Sequence, residues 1–453
     1  MPVAPPADES RVTRRVAVNQ ALWTAGYSLT SGGFLVYFGK ELGATGFVLA
    51  LLLVVPETAA TFGLLSRWVI QRVGNRKRVF LRFSVIARVA SLGIPVSAFV
   101  DSNSSGMEPL HVMVALLAVV HVVQSIAYLS YLSWLSDLVT DRHWGRFFSI
   151  RNIAKLGVLL VVPVVAGYLR DWWRRDVSAD VALWAYVAAF GVGTALQLVS
   201  LLPMLKLPDV PVRAATAALP EWRLLKAAFR DRSMRFLLIH NWWLALANGL
   251  TQAAFFLYLF GPLGVGLGTF YVLLCVMRIV KIPVSWITGG LCDRYGHKGP
   301  LFWGVLAASC AMPFWLLATP SAWWWVFGAY ATWGAFAAAN IAGRNLALEL
   351  APRSDNTPHL GLFRLIGGLL AGLSGLLGGL WLDQLKVTGF GLDVGGYELG
   401  RFQLLFAVSW AGRISAAFWL LPVREERRRV RNEAETRFRN SPGFREFVNR
   451  PAD

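Results

Sequence analysis

Charge is scarce in this chain. Only 15% of its 453 residues are Asp, Glu, Lys or Arg, against about 25% in an ordinary water-soluble domain. Acids are the scarcer sign, 26 against 44 Lys and Arg. The three cysteines, Cys275, Cys292 and Cys310, are odd in number and lack metal-ligand spacing, so neither a disulfide framework nor a zinc site follows. No phosphate loop of the GxxxxGK[ST] kind, no HExxH helix, no serine elbow and no hydrolase-type carboxylate pair is found. The chain therefore reads as a non-enzyme without ATP drive of its own, without cofactor and without metal. A clean signal-peptide cleavage pattern is also missing behind the polar, basic residues Met1 to Arg15. The apolar stretch after them is too long for a signal core and reads as a retained membrane helix.

What is abundant is apolar surface. Hydrophobic residues make up 56% of the chain and the mean hydropathy is +0.51. With 28 Phe, 20 Trp and 11 Tyr, disorder is excluded. A net charge of +18 would suit a nucleic-acid binder, but a chain this apolar leaves its basic residues only the segments outside lipid. No nucleic-acid partner is expected.

A bilayer-spanning helix needs about 20 mostly apolar residues. Twelve such stretches occur: 16–38, 46–70, 79–100, 110–139, 148–170, 181–205, 234–260, 265–291, 300–319, 321–350, 360–383 and 401–422. The expected organisation is an N-terminal six-helix bundle over 1–205, a cytoplasmic linker over 206–233, a C-terminal six-helix bundle over 234–422 and a basic cytoplasmic tail over 423–453. Within the linker, Glu221–Arg230 reads as a short amphipathic helix on the membrane surface. Lys and Arg concentrate on one side: the two tails and alternate loops, with their flanks, hold 32 of the 44, and the opposite loops hold six. The positive-inside rule then places both termini in the cytoplasm of a plasma (inner) membrane. The basic tail is expected on the anionic inner leaflet.

The halves resemble each other. Arg146-Phe147-Phe148-Ser149-Ile150-Arg151 and then Gly167-Tyr168-Leu169-Arg170-Asp171 in the first are echoed by Gly361-Leu362-Phe363-Arg364 and then Gly379-Leu380-Trp381-Leu382-Asp383 in the second. The turn Gln71-Arg72-Val73-Gly74-Asn75-Arg76 is echoed by Asp293-Arg294-Tyr295-Gly296-His297-Lys298. Duplicated six-helix units of one hand are the pattern of transporters built from parallel repeats.

At these turns the chain resembles the major facilitator superfamily. The family's motif between helices 2 and 3, Gly-x-x-x-Asp-Arg-x-Gly-basic-basic, is better kept in the second copy: Gly289, Asp293, Arg294, Gly296 and Lys298, with His297 at the first basic position. In the first copy Arg67 replaces the Gly and Gln71 the Asp, and only Arg72, Gly74 and Arg76 match. The resemblance implies an all-α integral membrane protein of twelve helices in two pseudo-symmetric bundles. It implies a gating latch in which Arg72 pairs with Asp137 and Arg294 with Glu349. It also implies that helices 1, 4, 7 and 10 line a cavity flanked by 2, 5, 8 and 11.

Ionisable groups at membrane depth cost about 2.5–3.5 kcal/mol each on insertion scales, so they are paired or face a cavity. Six basic residues fall inside spans, Arg88, Lys155, Arg278, Lys281, Arg344 and Arg413, against one acid well inside, Glu57. Arg278 and Lys281 share a face of helix 8, and with Lys155 on helix 5 they are candidates for an anion-binding patch. Arg88 and Arg413, on outer helices, are expected to be structural. Glu57, after Pro56, is the candidate proton carrier. Polar stripes on helices 1, 4, 7 and 10 suggest a wet cavity, with Tyr27, Gln124, Tyr128, Asn241, Asn248 and Gln252 as further substrate candidates. Gly368, Gly372, Gly375 and Gly379 on helix 11 have the small-xxx-small spacing of close helix packing.

The expected function is secondary active transport of a small solute by alternating access. The cationic excess favours an organic anion, with a proton as candidate coupling ion. Two alternatives stay open: proton-driven efflux of amphipathic compounds, and a non-transporting membrane sensor or scaffold.

Overall fold

The structure is a computed structural model that describes residues 9–99, 108–135, 138, 144–209, 229, 231–351, 357–394 and 397–425. Each apolar stretch became a helix. Helices 1 to 6 comprise Glu9–Thr30 with Gly33–Glu41, Gly46–Ala59 running through a 3-10 turn into Ser66–Val73, Arg76–Ser91, Pro109–Leu135, Trp144–Arg175, and Ala179–Val199 with Leu202–Leu205. Helices 7 to 12 comprise Arg232–Leu250 with Gln252–Phe260, Leu267–Tyr295, Lys298–Ser309 with Ala311–Leu317, Trp325–Trp333 with Phe336–Leu350, Thr357–Val387, and Arg401–Phe418. Among the described residues, nine segments are long and apolar enough to cross a membrane on composition alone. Helices 1, 10 and 12 fall short. Helix 1 is broken after Thr30 and carries a polar stripe, helix 10 is broken at Gly334–Ala335, and helix 12 carries Arg413. The expected amphipathic segment Glu221–Arg230, except Phe229, and nearly all of the tail lie outside the described residues.

The two halves repeat one packing scheme. Helix 1 packs on helices 5 and 6 as helix 7 packs on 11 and 12, and helix 3 on 4 as helix 9 on 10. The main packing between the halves pairs helix 5 with helix 8 and helix 2 with helix 11, and the outer segments of helices 7 and 1 add smaller contacts with helices 2 and 8. One short β-hairpin, Gly391–Val394 with Tyr397–Gly400, joins helices 11 and 12.

The apolar core differs between the two ends of the molecule. At the end far from the termini, one cluster draws on both halves, with Phe34, Phe38, Tyr37 and Phe190 beside Phe260, Phe270, Tyr271 and Trp315. At the termini end the clusters stay separate. One holds Val16, Phe80, Trp134 and Phe147 of the first half. The other holds Leu238, Val305, Leu346 and Leu420 of the second. The halves are thus fused at one end and parted at the other.

Candidate functional site

The fused end is built from matched parts. Near the end of helix 5 stands Asp171, whose Oδ1 and Oδ2 accept the backbone N–H groups of Leu267 at 3.1 Å and Gly268 at 2.8 Å. Near the end of helix 11 stands Asp383, whose two oxygens accept the N–H groups of Gly46 at 2.8 Å and Phe47 at 2.9 Å. Each carboxylate caps the first turn of a helix in the opposite half, where unpaired N–H groups and the helix dipole favour a negative charge. Glycines let these helices meet: a Cβ on Gly167 would lie 2.9 Å from Gly268, and one on Gly379 2.6 Å from the Gly46 carbonyl oxygen. The Tyr37 hydroxyl donates to the Val265 carbonyl at 2.7 Å, and the Lys40 ammonium to that of Phe260. Arg170, buried, joins Glu41 and Asp171 in one ionic network.

Below this seal, helices 5 and 8 bring cations together. Lys155 lies within electrostatic range of both Arg151 and Arg278, and Lys281 within range of Arg278. The Arg278 guanidinium donates to the Leu159 carbonyl at 2.6 Å across the seam. Arg151 donates through Nε to Gln20 Oε1 at 2.6 Å and lies 5.4 Å over the Tyr131 ring. Among the described residues none of these four cations has an acidic partner, and the ammonium groups of Lys155 and Lys281 make no hydrogen bond. In the sequence Arg151 reads as the end of a basic turn rather than as part of the patch; its position one turn before Lys155 is the signal that places it there.

The other expected contacts divide. Tyr27 stacks on Trp23 at 4.8 Å and lines a pocket with Gln124. Tyr128 is exposed, and Glu57 is exposed on helix 2 within electrostatic range of Tyr27. Asn248 is half-buried, with its Oδ1 lacking a partner. Gln252 faces helix 11, its Oε1 3.5 Å from where a Cβ on Gly375 would lie. Asn241 is engaged in packing: its Nδ2 donates to the Phe363 carbonyl at 2.7 Å. Arg344 is exposed on helix 10. Of the helix 11 glycines, Gly372 and Gly375 meet Val54, Gly379 meets Gly46, and Gly368 faces open space.

The turns after helices 2 and 8 match as well. Gly74 and Gly296 adopt φ of +69° and +85°, the left-handed region where a side chain is strained. Arg72 lies 3.8 Å over the Trp68 ring, and Asp137 is outside the described residues. Arg76 donates to the Ser133 carbonyl at 3.1 Å. In the second copy Gly289 is half-buried, while Asp293 and Arg294 are exposed. Glu349 meets His297, with 3.6 Å between Nε2 and Oε2. The carboxylate at the start of helix 9 is Glu425, not Asp293: its Oε1 accepts the backbone N–H groups of His297 and of Lys298, the latter at 2.7 Å. Lys298 Nζ donates to the carbonyls of Leu421 at 2.7 Å and Val423 at 2.9 Å.

Solved structures share this architecture. The nucleoside transporter NupG superposes with a TM-score of 0.63 at 15% identity, over 92% of this chain and 98% of its own. A bacterial homologue of the iron transporter ferroportin, in its inward-facing state, gives 0.65 at 13%, over 92% and 99%. A D-xylose–proton symporter gives 0.62 at 14%, over 92% and 98%. No curated protein sequence matches significantly. The sequence profile of the Major Facilitator Superfamily matches residues 16–375. With duplicated six-helix halves, matched seals and matched turns, the chain belongs to the major facilitator superfamily.

Proposed function

We propose that this protein is a secondary transporter that moves a small organic anion across the plasma (inner) membrane by alternating access. The cation cluster at the seam of helices 5 and 8 carries the reading. Arg151, Lys155, Arg278 and Lys281 raise positive potential beside the divide between the halves, with no acid among the described residues to offset it. Uncompensated charge at that depth demands a counter-charge, and an anionic solute supplies one. Neutralising the cluster removes repulsion between Lys155 on helix 5 and Arg278 on helix 8, so the bound solute favours a rearrangement along that seam.

The fused and parted ends support the rest. With both termini in the cytoplasm, the fused end faces outward and the structure is open inward. The same reading divides the chain into bundles over 1–205 and 234–422, a linker over 206–233, and a basic tail over 423–453 lying on anionic lipid. Solved relatives named for nucleosides and for D-xylose with a proton are compatible with small polar cargo.

The test is uptake of labelled small carboxylates into liposomes holding the purified protein, with sugars and hydrophobic cations as alternative cargo. Arg278→Gln is expected to cut carboxylate uptake at least about tenfold, the effect of one lost charge-assisted contact, and Arg278→Lys to retain part of it. Unchanged uptake in Arg278→Gln would overturn the reading. A second reading, efflux driven by protons, rests on Glu57 beside Tyr27. Glu57→Gln separates the two: loss of pH-gradient dependence supports coupling through this carboxylate.

A further inference from the structure

A second cationic feature lies away from the seam, inside the first half. Helices 1, 3, 4 and 6 line a small pocket of about 30 Å³, bounded by Tyr27, Ser31, Arg88, His121, Gln124 and Gln197. Arg88 is only 2% exposed. One of its terminal nitrogens donates to the Gln197 carbonyl, and its Nε has no partner. Among the described residues it faces no acid. Glu57, exposed on helix 2, lies within electrostatic range of Tyr27 at the pocket's edge. The side chains of His121 and Gln124, one turn apart on helix 4, make no hydrogen bond among the described residues.

This is not how the fold fills the corresponding space in its second half. Between helices 7, 9, 10 and 12 the rings of Phe255, Trp315, Trp333 and Phe406 meet at centroid distances of 4.8 to 5.7 Å. Gln197 stands eight residues before Leu205, and Arg413 eight before Leu421. That second arginine is fully committed. Its Nε donates to Ser409 Oγ at 3.0 Å and Nη2 to Thr251 Oγ1 at 3.3 Å, and the guanidinium lies 5.7 Å from the Phe255 ring. The first half instead leaves room beside an arginine with a spare donor.

A buried guanidinium is stable only when its charge and its donors are met. Here a pocket rimmed by a guanidinium, an imidazole and a carboxamide offers donors and has no carboxylate in its lining. We propose that this pocket binds a small monovalent anion, a carboxylate group or a halide, held by Arg88 with His121 and Gln124. The site is separate from the seam cluster and does not depend on the proposed cargo.

The test uses the full-length protein in detergent, with thermal unfolding followed as chloride or acetate replaces a bulky sulfonate at constant ionic strength. A ligand of the folded state raises its apparent stability saturably. Wild type is expected to be stabilised by one or both anions. Gln124→Leu and His121→Leu, which leave the Arg88–Gln197 bond intact, are expected to weaken apparent affinity about tenfold each. Arg88→Gln should abolish the shift; if that variant does not fold, the two helix 4 variants decide. A Lys155→Gln/Arg278→Gln/Lys281→Gln triple variant should keep the shift while losing any uptake. Stabilisation by chloride alone identifies a halide site, and competition between chloride and acetate identifies a carboxylate subsite. No saturable shift, an unchanged shift in both helix 4 variants, or loss of the shift in the triple variant overturns the proposal.

Discussion

Asp171 and Asp383 occupy one position twice. Each sits at the last turns of a helix and accepts two backbone N–H groups at the start of a helix in the other half, at 2.8 to 3.1 Å. The N–H pairs they receive, at Gly46–Phe47 and Leu267–Gly268, open helices 2 and 8, which are themselves repeats. The seal is therefore two copies of a single device, and it holds one end shut without a covalent or sequence-local link.

The seal should weaken in equal steps. Asn keeps the shape of the cap but loses the charge that favours a helix N-terminus and one of the two acceptors. A capping acid contributes on the order of 0.5–2 kcal/mol. Asp171→Asn and Asp383→Asn are each expected to shift the equilibrium toward opening at this end by about two- to tenfold. The two sites share no partner, so the double variant should add the two effects to within a few tenths of a kcal/mol. Spin labels on Thr45 and Val387, both exposed and on opposite halves, report the distance. A distance distribution unchanged in the double variant would show that the carboxylates do not hold the seal.

Helix 11 offers a paired comparison in which the sign reverses. Replacing a helical Gly by Ala favours the helix by about 0.8–1 kcal/mol. At Gly368 nothing lies within 4 Å of an added Cβ, so Gly368→Ala should be neutral or slightly stabilising. At Gly379 the same Cβ would lie 2.6 Å from the Gly46 carbonyl oxygen. There the helices must part, and Gly379→Ala should favour the state open at this end while leaving the helix content intact. Circular dichroism and the Thr45–Val387 distance separate the two outcomes.

The helices were legible because lipid demands about 20 apolar residues per span, and each expected stretch overlaps an observed helix. The repeat was legible too, through Gly167-to-Asp171 and Gly379-to-Asp383. Its purpose was not: the N–H groups that these acids meet lie far away in sequence, at Leu267 and Gly46, where backbone donors leave no side-chain signature. The hairpin at Gly391–Gly400 was overlooked, though Leu392-Asp393-Val394 and Tyr397-Glu398-Leu399 alternate around two glycines as a hairpin should. Arg88 and Arg413 looked alike as lone charges on outer helices. Only packing distinguishes them, because one is ringed by hydroxyls and an aromatic face and the other by a pocket.

The turns after helices 2 and 8 predict where the chain is anchored. Lys77 Nζ donates to the carbonyls of Leu205 at 2.8 Å and Leu207 at 2.7 Å, as Lys298 does to Leu421 and Val423. Two residues on, an acid returns the contact in each half: Asp209 accepts from the Asn75 side chain, and Glu425 from the start of helix 9. The same clamp thus holds the chain where it leaves helix 6 for the linker and helix 12 for the tail. A charged hydrogen bond contributes about 1.5–3 kcal/mol when buried, and the part-exposed setting of Lys298 lowers that to roughly 1 kcal/mol. Lys298→Met should therefore raise the population in which residues 421–425 open by about five- to tenfold. Trypsin cleavage after Arg424 reads that population when opening and closing are fast relative to cleavage. Glu425→Gln should accelerate the same cut, and Lys77→Met should leave it unchanged while loosening the chain after helix 6. Equal cleavage in wild type and Lys298→Met would mean that the helix 12 exit is held by the apolar contacts of Leu420 and Val423, and that the lysine clamp adds nothing to them.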